Sequence, residues 1–233
     1  IVVEISTDRK TSNGTGFYIS QDEIATCYHV LVPEGSELKK TYWIRNDTWD
    51  EGWQEAKVTM KLSPPPDDVA ILKTSKKIES FDVNLLRPWD GDSCRFKSRG
   101  YSETTNMADV CANQIDGEIK TEIYIYKENK RRRLQLQTDP ETIIGGRSGS
   151  PVFSYCQETI VGMIDYQGGF LGRNQIGMAI PIEFIVSIEG TDSIGYIFSQ
   201  GMDLLAQGAN GFAQLADQLR KSWDEFDPLA DSE

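Results

Sequence analysis

The chain has one histidine, four cysteines and no Cys-x-x-Cys pair in 233 residues. Structural zinc needs clustered thiolate and imidazole ligands, so Cys27, Cys94, Cys111 and Cys156, spread far apart, argue against a metal site. They are also too sparse for a disulfide-stapled scaffold. Free buried thiols are favoured, with a reducing compartment and a cytoplasmic location. Basic residues are in deficit: 24 Lys and Arg against 36 Asp and Glu leave a formal charge of −12. That balance opposes adhesion to nucleic acid or to an anionic membrane. No apolar run approaches the ~18 residues of a membrane-crossing helix, and a retained signal peptide is not expected. With no Met at the start, Ile1 is expected to be the first ordered residue of a longer chain.

Helical periodicity is scarce through residues 1–137. Short runs of β-branched and aromatic residues, bounded by turn residues, predict an antiparallel barrel or sandwich instead. Strands are expected at Ile1–Ile5, Thr15–Ile19, Glu23–Thr26, Tyr42–Ile44, Ala56–Leu62 and Val69–Leu72. The clearest hairpin runs from Glu118 to Thr138: Ile119, Thr121, Ile123 and Ile125 alternate with polar or aromatic neighbours, and Leu134 and Leu136 answer them. Its tip, Lys127 to Arg133, is rich in cations and is expected to be a solvated turn rather than a nucleic-acid patch. Pro64-Pro-Pro66 cannot lie inside a central strand and marks a loop that delivers Asp67 and Asp68 to a strand edge. After the glycine-rich turn Ile144-Gly-Gly-Arg-Ser-Gly-Ser-Pro151, strands are expected at Val152–Ser154, Thr159–Tyr166 and Ile176–Ile182. From about Ser187 a helical pattern takes over.

The lone histidine, His29, ends the segment Ile24-Ala-Thr-Cys-Tyr-His. Asp68 heads the apolar strand Asp68-Val-Ala-Ile-Leu72, and Ser148 sits in Gly146-Arg-Ser-Gly-Ser-Pro151. A serine hydroxyl needs a base to become a nucleophile, an imidazole is that base near neutral pH, and a carboxylate fixes its tautomer. The order His, Asp, Ser excludes the Gly-x-Ser-x-Gly arrangement in which the serine comes first. The competing reading is a core histidine beside a flexible loop.

These blocks resemble the trypsin-like (chymotrypsin-fold) serine peptidases, whose nucleophile block reads Gly-Asp-Ser-Gly-Gly-Pro. Gly14-Thr-Gly-Phe17, Ser148-Gly-Ser-Pro151 and Ile176-Gly-Met-Ala-Ile-Pro181 resemble the bacterial HtrA-like branch most. The resemblance implies an all-β fold of two antiparallel six-stranded β-barrels, a peptidase domain over 1–186 and a helical C-terminal extension over 187–233. It implies a serine endopeptidase, without metal or organic cofactor, acting through His29, Asp68 and Ser148, with the amides of Gly146 and Ser148 as oxyanion hole. Asp68 rather than Asp67 is implied as the acid, since it directly precedes the strand. Thr142 would floor the specificity pocket, with Asp165, Tyr166, Gln167, Gly177 and Ala179 around it. Asp165 falls where relatives carry a small polar residue. A polypeptide substrate would pair with the Tyr166 strand.

The departures are equally informative. Val3-Glu4 follows Ile1-Val2 where activated secreted relatives have two glycines. Arg147 precedes Ser148 where a buried ammonium would need an acid, so activation by cleavage at Ile1 is not expected. Thr142 offers no charge for a basic substrate side chain. In the extension, Phe198, Met202, Leu205, Ala209, Phe212, Ala216, Leu219, Trp223 and Phe226 recur at steps of four and three. Residues 190–233 are therefore expected either to cover the barrel or to dock a second copy, a partner or a neighbouring domain, in an effector module of a larger prokaryotic protein. No nucleic acid and no membrane are expected as partners. The rival reading from another class is a non-catalytic peptide-binding module on the same barrels.

Overall fold

Antiparallel pairing of twelve strands among the described residues gives two closed barrels of six. The structure is a computed structural model that describes residues 1–64, 67–101, 112–125, 132–138, 146–165 and 176–189. The chain falls into two units, Ile1–Ile185 and Val186–Glu233, and all of the barrel strands lie in the first. The heptad-like positions from Phe198 onward lie outside the described residues.

The first barrel is built from β1 (Val2–Ser6), β2 (Ser12–Tyr18), β3 (Glu23–Cys27), β4 (Thr41–Arg45), β5 (Gln54–Ser63) and β6 (Val69–Thr74). They pair in the order β1-β2-β3-β6-β5-β4, and β4 closes the ring on β1. Val3, Ile5, Ile24, Ile44 and Leu72 share one face of its sheet and form its interior, each buried. Their period of two along each strand puts one face inward, which fixes the register against one-residue slips. A bulge between Val58 and Leu62 of β5 lets the strand bend round the closed sheet.

The second barrel uses β7 (Cys94–Gly100), β8 (Asn113–Ile125), β9 (Arg132–Thr138), β10 (Pro151–Ser154), β11 (Thr159–Asp165) and β12 (Ile176–Pro181). Its order is β10-β11-β12-β9-β8-β7, closed by β7 on β10. Phe96, Ile119, Leu136, Val152 and Val161 form its core. The expected hairpin is present, with Ile119 opposite Leu136, although β8 starts at Asn113 rather than Glu118.

Four expectations are corrected. Cys94 and Cys156 are joined by a disulfide, so the reading of free thiols holds only for Cys27 among the described residues. Cys156 leaves the β10–β11 turn next to the start of β7, a proximity that spacing along the chain does not reveal. Strand β7 had no counterpart in the sequence reading. Its inward residues include Cys94, Ser98 and Gly100, which carry little hydrophobic signal. The helix α2 (Ile182–Glu189) starts before Ser187 and takes over directly at Pro181. Lastly, Arg133 belongs to β9 and is buried, not part of a solvated turn. Among the described residues no helix is long and apolar enough to cross a membrane.

Candidate active site

β3 runs into the single-turn helix α1 (Tyr28–Leu31), whose second residue is His29. A helix start leaves N–H groups without intrahelical partners, and the residue before this one, Cys27, supplies no side-chain cap. Asp68, arriving at the head of β6, supplies the missing acceptors. Its carbonyl takes the Tyr28 N–H at 3.1 Å and its Oδ1 takes the His29 N–H at 2.9 Å. Its Oδ2 lies 2.6 Å from His29 Nδ1. One aspartate thus fixes both the backbone and the ring of His29. The same residue has φ of 60°, a left-handed conformation that Asp tolerates better than most L-residues, and both Asp67 and Asp68 donate their N–H to the Pro64 carbonyl. The proline-rich loop expected from the sequence sets this turn.

Asp68 is fully buried, whereas the His29 side chain keeps 33 % of its surface exposed. Burial pulls the imidazolium down, but the hydrogen bond and charge of Asp68, with the charge of Asp165 behind it, outweigh that, and His29 titrates above its ordinary value of 6.5. Asp67 turns elsewhere: its Oδ2 accepts from Ser63 Oγ at 2.6 Å. The choice of Asp68 over Asp67 agrees with this placement.

Ser148 sits in the turn before β10 of the second barrel, which hydrogen-bonds to β2 of the first. Its carbonyl accepts the Thr15 N–H from β2 at 2.9 Å, and Thr15 Oγ1 donates to the Gly146 carbonyl at 3.0 Å. Gly149 N–H donates to the Ile164 carbonyl at 2.9 Å, and Ile164 N–H returns to the Ser150 carbonyl at 2.8 Å. That Ile164 carbonyl also accepts the Cys27 thiol at 3.3 Å. The segment carrying His29 and the turn carrying Ser148 therefore share one acceptor on β11. Gly149 has φ of +88°, and a Cβ there would stand 1.9 Å from the Thr15 carbonyl oxygen, so no other residue fits. Gly146 has the same left-handed φ of 88°.

Arg147 is buried and donates from Nη1 to the Asn113 carbonyl at 3.1 Å, so it ties the turn to β8.

Of the residues expected around the specificity pocket, Thr142, Tyr166 and Gln167 lie outside the described residues. Gly177 is buried opposite Leu136, and Ala179 packs into the core of the second barrel. Asp165 is corrected too. It does not face a peptide from solvent but lies buried at the end of β11, its Oδ2 accepting Arg133 Nε at 3.1 Å. Burial first, and then the charge of Asp68, push Asp165 up to about 6, while Arg133 opposes the shift. Arg133 is the site residue that sequence reasoning missed. The available signal was Leu134 and Leu136: extending their alternation back by one residue places position 133 in the strand.

Cys27, His29, Asp68 and Asp165 each bring one donor atom within 4.8 Å of the others. The donor types suit zinc, but the short His29–Asp68 contact is a hydrogen bond and a guanidinium already sits on Asp165. Burial also holds the Cys27 thiol well above its ordinary range, so it stays protonated. The cluster reads as a proton network.

The profile of the trypsin-like peptidase domain family matches residues 14–163, which include both His29 and Ser148. Among solved structures, the fold is similar to the active form of the Rv3671c protease from M. tuberculosis, at TM-score 0.55 and 21% identity over 82% of this chain and 82% of that one. The inactive form of the same protease gives TM-score 0.56 and 20% identity over 82% and 89%. The MamO protease domain from Magnetospirillum magneticum gives TM-score 0.55 and 19% identity over 80% and 94%. No curated protein sequence matches the chain.

Proposed function

Because the chain belongs to the trypsin-like peptidase domain family, we propose that it is a serine endopeptidase working through His29, Asp68 and Ser148. One observation carries the reading: Asp68 holds His29 at both its backbone N–H and its Nδ1. With Nδ1–H donated to Asp68, the lone pair of Nε2 is left to accept the Ser148 Oγ proton. Oγ then attacks the scissile carbonyl carbon and its electron pair moves to the carbonyl oxygen. The N–H groups of Gly146 and Ser148 receive that oxyanion, each contributing about 3 kcal/mol to the tetrahedral state. His29 passes the proton from Nε2 to the leaving amine, and water repeats the cycle on the acyl-enzyme.

The substrate is a polypeptide, taken extended against the segment that includes Tyr166, and the chemistry uses only side chains and backbone of this chain. Residues 190–233 serve a neighbouring domain or partner within a larger prokaryotic protein. A cytoplasmic location loses its support with the Cys94–Cys156 bridge, and an oxidising compartment is the better reading. The test is cleavage of a mixed peptide library, followed by mass spectrometry. New termini that appear with the wild type and vanish with Ser148→Ala support the reading. An identical product set from the variant, or none from the wild type at any pH from 6 to 9, overturns it.

A further inference from the structure

Behind the His29–Asp68 pair lies a second buried acid with its own cation. Asp165 is 3 % exposed, its Oδ2 accepts from Arg133 Nε, and its Oδ1 is buried with no hydrogen-bond donor. An oxygen of Asp165, an oxygen of Asp68, a ring nitrogen of His29 and the Cys27 sulfur lie within 4.8 Å of one another. Among the described residues these are the groups that face Asp165. Asp68 comes from the head of β6, His29 from α1, the neutral thiol of Cys27 from β3, and Arg133 from β9. Arg133 also donates from Nη2 to the Asp67 carbonyl at 3.2 Å, which ties it to the turn that carries Asp68.

We propose that Asp165 is a positioning residue that acts through Asp68 to strengthen His29 as a base, with Arg133 as its fixed counter-ion. The inference deepens the peptidase reading and rests on it for its meaning in catalysis. Charge counting gives the reason. With both acids ionised, Arg133 charged and His29 neutral, the buried cluster carries one net negative charge. Moving the Ser148 proton to His29 brings the cluster to neutrality. With a neutral residue at 165 the same transfer would take the cluster from neutral to one net positive charge, which a buried site disfavours. The lone unpartnered oxygen of Asp165 completes the device. Two buried carboxylates this close resist carrying two charges, and a proton shared between them is a donor for the unpaired oxygen. Below neutrality Asp165 takes that proton and donates it to Asp68; near neutrality it releases it.

His29 is the only histidine in the chain, so its ring can be followed by NMR without any turnover. In the wild type the ring shift should follow two ionisations. In Asp165→Asn it should follow one, with the midpoint lowered by about 1 pH unit. The double variant Asp165→Asn with Arg133→Gln restores the net charge that the cluster has in the wild type, and its midpoint should return toward the wild-type value. If Asp165→Asn does not fold, Asp165→Ser, which removes the same charge and keeps Arg133, is read in its place. A midpoint within ~0.3 unit of the wild type in a folded variant that is neutral at 165 and keeps Arg133 overturns the inference. Labelling of Ser148 by a fluorophosphonate, run over the same pH series, reports separately on the peptidase reading. An unlabelled wild type refutes that reading, while the ring titration still decides the role of Asp165.

Discussion

Replacing Gly149 by alanine should damage the molecule far more than the same change at Gly35. Both glycines have left-handed φ, +88° and +79°, so both substitutions incur the strain of an L-residue there, ~1–2 kcal/mol. At Gly35 nothing lies within 4 Å of the new Cβ. At Gly149 the Cβ would stand 1.9 Å from the Thr15 carbonyl oxygen and 2.7 Å from Thr26 Oγ1, and that carbonyl is itself held by Thr26 Oγ1 at 2.7 Å. The turn must retreat, which adds an overpacking cost of ~1–3 kcal/mol. Retreat also stretches the Gly149 N–H to Ile164 bond, which costs about 1 kcal/mol more. Gly149→Ala should therefore lie ~2–4 kcal/mol below Gly35→Ala, a large share of a stability of ~5–15 kcal/mol. Urea unfolding followed by tryptophan fluorescence measures the difference. Fluorophosphonate labelling of the folded fraction should be slowed at Gly149→Ala, because Ser148 moves with the turn, and unchanged at Gly35→Ala. Two variants within ~0.5 kcal/mol of each other would refute the close packing on which this reasoning rests.

Reducing the Cys94–Cys156 bridge, or replacing both residues by serine, frees a loop of 62 residues in the unfolded chain and should lower stability by about 4 kcal/mol. A thiol titration of the denatured, unreduced protein that still counts Cys94 and Cys156 as free would contradict the bridge. Catalysis should rise with pH as His29 loses its proton, with a midpoint above 6.5 because the hydrogen bond and charge of Asp68 favour the imidazolium. Single-turnover acylation rates across pH 5–9 measure this, and a midpoint at or below 6 would count against it.

The two barrels were legible where strands carry β-branched residues at period two. β3, β6 and β11 alternate or run apolar, and they bring in His29, Asp68 and the Ile164 carbonyl. The turn residues were legible for a different reason. Gly149 has no room for a Cβ, and Pro64 accepts the two N–H groups that set Asp68 in place, so composition there follows geometry. Strand β7 was hidden because, of its four inward positions, Phe96 alone is large and apolar, while Cys94, Ser98 and Gly100 gain burial from neighbours distant in sequence. Arg133 was hidden by its own kind. A cation in a run of cations reads as solvated, and only the pairing of β9 with β12 carries it to the acid at the end of β11. Asp165 was noticed as unusual, but its direction, inward to Asp68 rather than outward to a substrate, depends on that same pairing.

The most direct test of the central claim is covalent labelling of the intact chain by a fluorophosphonate at pH 8, read by intact mass and peptide mapping. A serine peptidase with a formed base should acquire one adduct, on Ser148, and both Ser148→Ala and His29→Ala should acquire none. A folded wild type that takes up no adduct, or takes one up equally well without His29, would contradict the account and leave a peptide-binding module on the same barrels.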